Sequence, residues 1–111
     1  MIKILKNVYE RLAFNAMGMQ DYEKASHYFE KILRAYPSER GVHYNYAVSL
    51  IGARQHTLAE KYLLKELNIS GERYELLKTL GELYYTSSNP IKAVAFLKKA
   101  LTHCVDEKES S

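Results

Sequence analysis

Four histidines and one cysteine are the side chains in this sequence best suited to metal binding or nucleophilic catalysis: His27, His43, His56, His103 and Cys104. A helical zinc site needs two histidines four residues apart, and no two of these histidines have that spacing. His103 and Cys104 are adjacent, so their side chains point in different directions on a helix. We therefore expect no metal site and no catalytic dyad.

The carboxylates do not indicate acid–base catalysis either. Glu72 and Glu75 lie near a predicted helix start, where negative side chains interact favourably with the helix dipole. His27 and Glu30 share a helix face, as solvated neighbour pairs commonly do. The sequence has no glycine-rich loop of the kind that holds phosphates. These observations predict a protein that is not an enzyme and has no cofactor.

The charge pattern argues against nucleic-acid binding. Sixteen Lys and Arg and thirteen Asp and Glu give a formal net charge of +3. The most clustered basic residues are Lys61, Lys65, Lys98 and Lys99, and acidic residues are interspersed among them. The pattern is typical of solvated helix faces rather than of a phosphate-binding patch.

No segment looks like a targeting or membrane sequence. Lys3, Lys6 and Glu10 interrupt the N-terminal apolar stretch, so it does not match a secretory signal. No apolar run approaches the roughly 18 residues that a transmembrane helix needs. The single cysteine excludes an internal disulfide and fits a reducing compartment. We expect a cytoplasmic protein that does not bind membranes.

The sequence is organised as an internal repeat. Apolar residues make up 47%, and only two prolines and five glycines interrupt the chain, which favours stacked helices. Similar residues recur every 34 residues without a gap. The recurring columns are Ala25, Ala59 and Ala93; Leu12, Tyr46 and Leu80; Tyr28, Tyr62 and Phe96; Lys31, Lys65 and Lys99; and Leu33, Leu67 and Leu101.

Each repeat predicts a pair of antiparallel helices. Small residues recur where two backbones must approach closely, and large apolar residues recur at helical spacing beside them. Asp21, Thr57 (with Glu60 three residues later) and Asn89 before a proline are predicted helix starts. The predicted helices span about 2–18, 21–36, 38–53, 56–69, 72–86 and 89–104.

The pattern resembles the tetratricopeptide repeat family over about residues 6–107. The second repeat departs from the family pattern at His43, Glu66 and Gly71. The residues of the first repeat that match it are Tyr9, Leu12, Ala13, Ala16, Ala25, Phe29, Ile32 and Pro37.

The resemblance implies a single all-α domain over residues 1–107. Its expected architecture is a right-handed superhelix, or solenoid, of three antiparallel helix pairs. The repeats are expected at about 6–39, 40–73 and 74–107, with a polar tail at 108–111.

The resemblance also implies a protein-interaction scaffold whose first helices line a concave groove that holds a segment of a partner. Asn45 is expected to hydrogen-bond the partner's backbone, a frequent use of asparagine in this family. We call the following residues the predicted groove: Glu10, Phe14, Met17, Tyr44, Asn45, Val48, Ile51, Glu75, Lys78, Glu82 and Tyr85.

The chemistry of the predicted groove points to an apolar partner segment that can also carry basic residues. Its side chains are mainly apolar and aromatic, with three carboxylates against one ammonium. The alternative is that Phe14, Met17 and Ile51 belong to the core between helices.

One family specificity does not fit. Some members clamp an acidic C-terminal peptide with Lys, Asn and Arg side chains. The corresponding positions here hold Glu10, Phe14, Asn45, Glu75 and Thr79, so only the asparagine remains. We do not expect an acidic tail as the partner.

The end of the third repeat is a second candidate surface. Val94, Leu97, Leu101 and Val105 are expected to leave apolar surface exposed there, and no capping helix follows. Three interpretations remain open: a fragment of a longer repeat array, a homo-oligomer formed through this open C-terminal end, or tolerated exposure. In the second, the apolar residues Ile2, Ile4, Leu5 and Val8 would cover the open end of another molecule.

Overall fold

The computed structural model describes the backbone of residues 2–110 and the side chains of residues 4–104. The described backbone contains six α-helices and no strand, which confirms the predicted all-α class. The helices are α1 (Ile2–Gly18), α2 (Tyr22–Ala35), α3 (Val42–Gly52), α4 (His56–Ser70), α5 (Tyr74–Thr86) and α6 (Pro90–Ser110).

Two helix boundaries differ from the predicted ones by four residues or more. Helix α3 begins at Val42 rather than near residue 38, because Gly41 takes a left-handed conformation with φ of 87° at the helix start. Helix α6 continues to Ser110, since no Gly or Pro follows Pro90 to end it. Residues 108–110 of the predicted polar tail thus extend α6, while Ser111 lies outside the described residues.

The predicted helix starts are confirmed in two of three cases. The Asp21 side chain accepts a hydrogen bond from the Lys24 N–H at 3.2 Å, and Asn89 Oδ1 accepts one from the Lys92 N–H at 3.3 Å. The predicted cap at Thr57 is wrong, because α4 begins one residue earlier and Thr57 lies inside its first turn.

The turns between paired helices repeat the same backbone geometry every 34 residues. Gln20, Arg54 and Ser88 have φ of 62°, 65° and 61°. The amide of each next residue donates to a carbonyl five residues back, as in the bond of 2.8 Å from Asp21 to Ala16. The bonds from Gln55 to Leu50 and from Asn89 to Tyr84 are also 2.8 Å. This bonding is that of a Schellman helix end, formed here without glycine.

The chain divides into two compact units, Met1–Ile69 and Ser70–Ser111. In the first unit, α1 packs on α2 and α2 packs on α3. Ala13, Ala25 and Phe29 are fully buried. A Cβ added at Gly52 would overlap the ring of Tyr22, so this glycine allows α2 and α3 to approach closely.

In the second unit, α5 packs on α6. The rings of Tyr84 and Phe96 stack with centroids 5.4 Å apart, and a Cβ at Gly81 would overlap the Leu97 side chain. Six of the 13 residues of α5 are buried, with Leu76, Leu77 and Leu80 fully so. The opposite face of this helix is in contact with solvent.

Candidate functional site

The predicted-groove residues of the first unit lie on the surface of α1 and α3. None of them is buried: Phe14 is 47% exposed, and Glu10, Met17, Tyr44, Asn45, Val48 and Ile51 are half-buried. On α3, positions 44, 45, 48 and 51 fall on one helix face because they are separated by roughly one turn. The opposite side of α3 carries the buried residues Val42, His43, Tyr46, Ala47 and Leu50.

Phe14 takes part in the core as well as in the surface. Its ring meets the fully buried ring of Phe29 edge-on, with centroids 5.6 Å apart and an interplanar angle of 80°. This contact fixes the position of a side chain that stays half exposed. Neither Phe14 nor Met17 nor Ile51, the three residues with a core alternative, is among the buried side chains.

The carboxylate of Glu10 is partly neutralised. Lys6 Nζ lies 3.2 Å from Glu10 Oε1 and 3.3 Å from Glu39 Oε1. Burial by itself lowers the pKa of Lys6, but the hydrogen bonds to Glu10 and Glu39 outweigh it and raise the pKa above its ordinary value. Glu10 therefore contributes less negative charge to this surface than the sequence alone indicates.

The predicted-groove residues of the second unit form the exposed stripe of α5. Glu75, Lys78, Glu82 and Tyr85 follow one another at three- and four-residue intervals, and all four are exposed. Tyr85 is 76% exposed, the largest aromatic exposure among the described side chains. Lys78 Nζ lies 6.0 Å from the centroid of the Tyr74 ring. The stripe thus combines an aromatic anchor with two carboxylates and one ammonium.

The two units contribute these residues separately. The sequence predicts that the α1 and α3 residues and the α5 stripe line one continuous groove. That continuity stays a prediction, as do the repeat boundaries and the extent of the domain.

A pair of polar residues missed as functional determinants holds the start of α3. Glu66, fully buried on α4, accepts the Gly41 N–H at 2.9 Å through Oε2. His43 Nδ1 lies 3.8 Å from Glu66 Oε1. Because burial lowers the pKa of His43 more than the Glu66 carboxylate raises it, the imidazole is neutral at pH 7. This pair positions the helix that carries Tyr44 and Asn45.

A sequence signal for this pair existed. His43 replaces an aromatic residue and Glu66 replaces a small one in the same repeat. Two polar residues in one repeat, both at positions that face the core, indicate that their side chains interact with each other. The His43 ring also keeps the aromatic role of its column, since it stacks on Tyr62 at 5.8 Å as Tyr9 stacks on Tyr28 at 6.0 Å.

Glu72, predicted as a helix-start carboxylate, instead bridges to the last helix. It accepts a hydrogen bond from Lys99 Nζ at 3.1 Å and lies 3.1 Å from His103 Nε2. The Lys99 and His103 hydrogen bonds lower the pKa of Glu72. All of these groups are at least partly exposed to solvent, so the network is a surface ion-pair cluster rather than a reactive site.

No three His, Cys, Asp or Glu side chains among the described residues lie close enough together to hold a metal ion. None of the helices within residues 2–110 combines the length and the apolar character needed to cross a bilayer.

Comparison with known proteins identifies the repeat. Residues 7–39 match the family model described as tetratricopeptide repeat. No curated protein matches the chain significantly. The second and third repeats lie outside the matched segment, so their assignment rests on the 34-residue columns and the repeated turn geometry.

The fold is similar to solved structures of MamA. A structure described as MamA MSR-1 C2 superposes with a TM-score of 0.82 at 18% identity, covering 96% of this chain and 59% of the MamA chain. A structure of MamA residues 41-end from Desulfovibrio magneticus RS-1 superposes with a TM-score of 0.82 at 16% identity, over 93% and 57%. A MamA RS-1 ArsTM double mutant gives 0.85 at 15% identity, over 92% and 57%.

These similarities establish an all-α helical repeat fold. The chain spans less than two thirds of the length of the MamA chains that it matches.

Proposed function

We propose that the chain is a non-catalytic adaptor that binds a partner protein segment through the predicted-groove residues of α1 and α3 in the first unit and of α5 in the second. The match of residues 7–39 to the tetratricopeptide repeat model supports this proposal. Proteins with tetratricopeptide repeats act as protein-interaction scaffolds, which supports the proposal. The proposed site consists of the predicted-groove residues. The observation that carries the proposal is that all eleven are half-buried or exposed, although six of the 11 residues of α3 and six of the 13 residues of α5 are buried.

The proposed partner segment is apolar and carries basic rather than acidic residues. Phe14, Tyr44 and Tyr85 supply aromatic surface, the side-chain type most enriched in the energetically dominant parts of interfaces. Glu75 and Glu82 flank Lys78 on the α5 stripe, so its charge is net negative. A basic segment is therefore attracted and an acidic one repelled.

Matched peptides test this specificity. Two apolar peptides of the same sequence, one flanked by lysines and one by glutamates, are titrated against the protein by isothermal calorimetry. We expect the lysine-flanked peptide to bind at least about tenfold more tightly at low ionic strength. Equal affinity, or preference for the glutamate-flanked peptide, would contradict the proposal.

Tyr85→Ala locates the binding surface. Tyr85 is exposed, so its removal should weaken peptide binding about tenfold with little effect on folding. Ile91→Ala on α6 is the control, because Ile91 is 84% exposed and lies outside the predicted groove. Equal effects of the two variants would exclude α5 as the binding surface.

Self-association is a second candidate function. Ile91, Val94, Leu97 and Leu101 on α6 are 84%, 51%, 39% and 66% exposed, and Ile4, Leu5 and Val8 on α1 are 65%, 53% and 47% exposed. The side chains of Ile2 and Val105, which belong to the same two predicted surfaces, lie outside the described residues. Docking of α1 of one copy on α6 of another would be a heterologous contact that can add further copies.

Light scattering separates the two functions. Self-association predicts a molar mass that rises with protein concentration and is reduced by Leu101→Lys, while peptide binding is retained. A constant monomer mass at high protein concentration would rule out self-association and leave the adaptor function.

A further inference from the structure

The first unit contains a cleft on faces of α2, α3 and α4 that the predicted groove does not use. Its volume is about 460 Å³, within the usual range of small-molecule sites. None of the predicted-groove residues lines it. The lining residues are Glu30, Leu33, Arg34, Pro37, His43, Tyr46, Leu58, Tyr62 and Lys65.

The inner lining of the cleft is aromatic and apolar. The Tyr62 ring lies 4.6 Å from the Tyr46 ring at an interplanar angle of 60° and 5.8 Å from the His43 ring at 20°. Leu33, Pro37 and Leu58 complete this lining. Packed rings of this kind favour contact with another flat ring, edge-on or offset.

The rim of the cleft is cationic. Lys65 Nζ lies 5.0 Å from the centroid of the Tyr62 ring. Arg34 donates to Glu30 Oε1 at 2.7 Å, and a guanidinium has further N–H groups that can donate to a second carboxylate. Glu30 is the only carboxylate in the lining, so two permanent cations face one anion.

Tyr46 and His43 do not change the net positive charge of the cleft lining. Burial, with the neighbouring Tyr62 and Glu30, raises the pKa of Tyr46 to about 12, so its hydroxyl stays protonated. Burial lowers the pKa of His43, so its ring is neutral at pH 7. The cleft is thus an aromatic cavity with a net positive rim.

We propose that this cleft binds a small aromatic carboxylate, with the ring packed among Tyr46, Tyr62 and Leu58 and the carboxylate bound by Lys65 and Arg34. An aromatic amine fits less well, since its charge meets Lys65 and competes with Arg34 for Glu30. An aliphatic carboxylate keeps the ion pair but loses the ring contacts. The site is independent of the proposed peptide-binding surface.

Three probes of similar size test the ligand class: 1-naphthylacetate, its saturated analogue decahydro-1-naphthylacetate, and 1-naphthylmethylamine. Each is titrated into the ¹⁵N-labelled protein, and amide shifts of residues around the cleft are followed by NMR. We expect 1-naphthylacetate to give saturable shifts there and to bind at least about fivefold more tightly than either control probe. Absence of saturation, or equal binding of the three probes, would overturn the proposal.

Two lysine variants provide the matched control. Lys61 Nζ and Lys65 Nζ both lie over the Tyr62 ring, at 5.7 Å and 5.0 Å, but only Lys65 lines the cleft. Lys65→Gln should weaken 1-naphthylacetate binding about fivefold, and Lys61→Gln should leave it unchanged. Equal losses in both variants would mean that general surface charge, not the cleft, attracts the anion.

Thermal unfolding and peptide titration complete the test. Lys65 and Lys61 are exposed, so both variants should unfold at the wild-type temperature and bind the lysine-flanked peptide normally. Loss of naphthylacetate binding with normal peptide binding supports a separate site. If Lys65→Gln, but not Lys61→Gln, loses both naphthylacetate binding and peptide binding, the cleft is not independent of the peptide-binding surface.

Discussion

Glu66 is a carboxylate with no solvent exposure that accepts the backbone N–H of Gly41 at 2.9 Å. It ties α4 to the left-handed residue at which α3 starts. If Glu66 is removed, the partly buried Gly41 N–H has no acceptor, and this loss costs more free energy than the hydrogen bond contributes when it is formed. The buried carboxylate therefore acts on the position of α3 and, through it, on Tyr44 and Asn45.

Glu66→Ala should lower the free energy of unfolding by about 2–3 kcal/mol. The loss combines the orphaned Gly41 N–H with the space left by the side chain. Glu66→Gln retains an oxygen acceptor of the same size and should cost less. Urea unfolding measures both, and an alanine variant as stable as the wild type would contradict the positioning role.

His43 gives the stability a pH dependence with a definite sign. Burial lowers its pKa in the folded state below the ordinary 6.5, so the unfolded chain takes up this proton first as the pH falls. The free energy of unfolding is therefore lost as the pH drops from about 6.5 toward the folded-state pKa.

His43→Phe should reduce this loss. It keeps an aromatic ring to stack on Tyr62 and removes the titrating nitrogen. Urea unfolding of the wild type and the variant between neutral and mildly acidic pH measures the difference, with His27→Gln, an exposed position, as the control. An unchanged pH slope in His43→Phe would show that other groups cause the dependence.

At the scale of helices and turns, the backbone conformation of the turns recurs in all three repeats, whereas the side chains at the same positions differ. Gln20, Arg54 and Ser88 occupy the same left-handed position in the three repeats, although their side chains share no chemistry. A left-handed conformation costs a residue with a Cβ about 1–2 kcal/mol, which the hydrogen bonds of the helix end offset. Sequence comparison alone shows no common signal at this position.

Arg54→Gly should raise the free energy of unfolding by roughly 0.5–1 kcal/mol, because glycine adopts positive φ without steric cost. Gln55→Gly, one residue later, is the control, since Gln55 has no positive φ and gains nothing. The urea midpoint is the measurement. A destabilised Arg54→Gly variant would indicate that the arginine side chain matters more than its backbone conformation.

The glycines that end α1 and α3 have opposite expected effects because only one of them contacts a neighbouring helix. Gly52→Ala should lower the free energy of unfolding by about 1–3 kcal/mol, because its Cβ would overlap the Tyr22 ring. Gly18→Ala at the end of α1 meets nothing within 4 Å and should be neutral or stabilising by up to about 1 kcal/mol. Thermal melts compare the two; equal melting temperatures would mean that α2 moves away from α3 without cost.

For the whole molecule, the net charge and the charge of the proposed binding surface differ in sign. The chain carries +3, whereas the α5 stripe has two carboxylates against one lysine. The positive net charge therefore attracts acidic partners at long range. The negative charge of the α5 stripe favours basic partners only when they contact it. Added salt screens both effects between exposed groups.

Glu82→Lys should weaken binding of the lysine-flanked peptide about threefold at low salt, and less at high salt. Glu23→Lys on α2 changes the net charge by the same amount outside the predicted groove and should have little effect. Calorimetry at two salt concentrations separates these cases. Equal weakening by both substitutions would assign the preference to net charge instead of to the α5 stripe.

Six of the ten tyrosines show how far the sequence reaches. The repeat columns include Tyr28, Tyr46 and Tyr62, and the family pattern includes Tyr9, which assigns these four to packing. The structure agrees, because Tyr46 is buried and the other three stack on neighbouring rings. Tyr44 and Tyr85 belong to the predicted groove, where they are half-buried and exposed. The periodicity predicts such faces because side-chain direction on a helix follows from residue number alone.

Local spacing in the sequence is enough to predict the repeat length, the six helices, the all-α class and the faces of α3 and α5. Three-dimensional packing establishes the Glu66–Gly41 hydrogen bond, the pairing of Lys6 with Glu39, and the cleft around Tyr62. Each of these features joins residues that lie on different helices or loops. The distance between such residues depends on how the helices pack, so a local sequence pattern does not predict it.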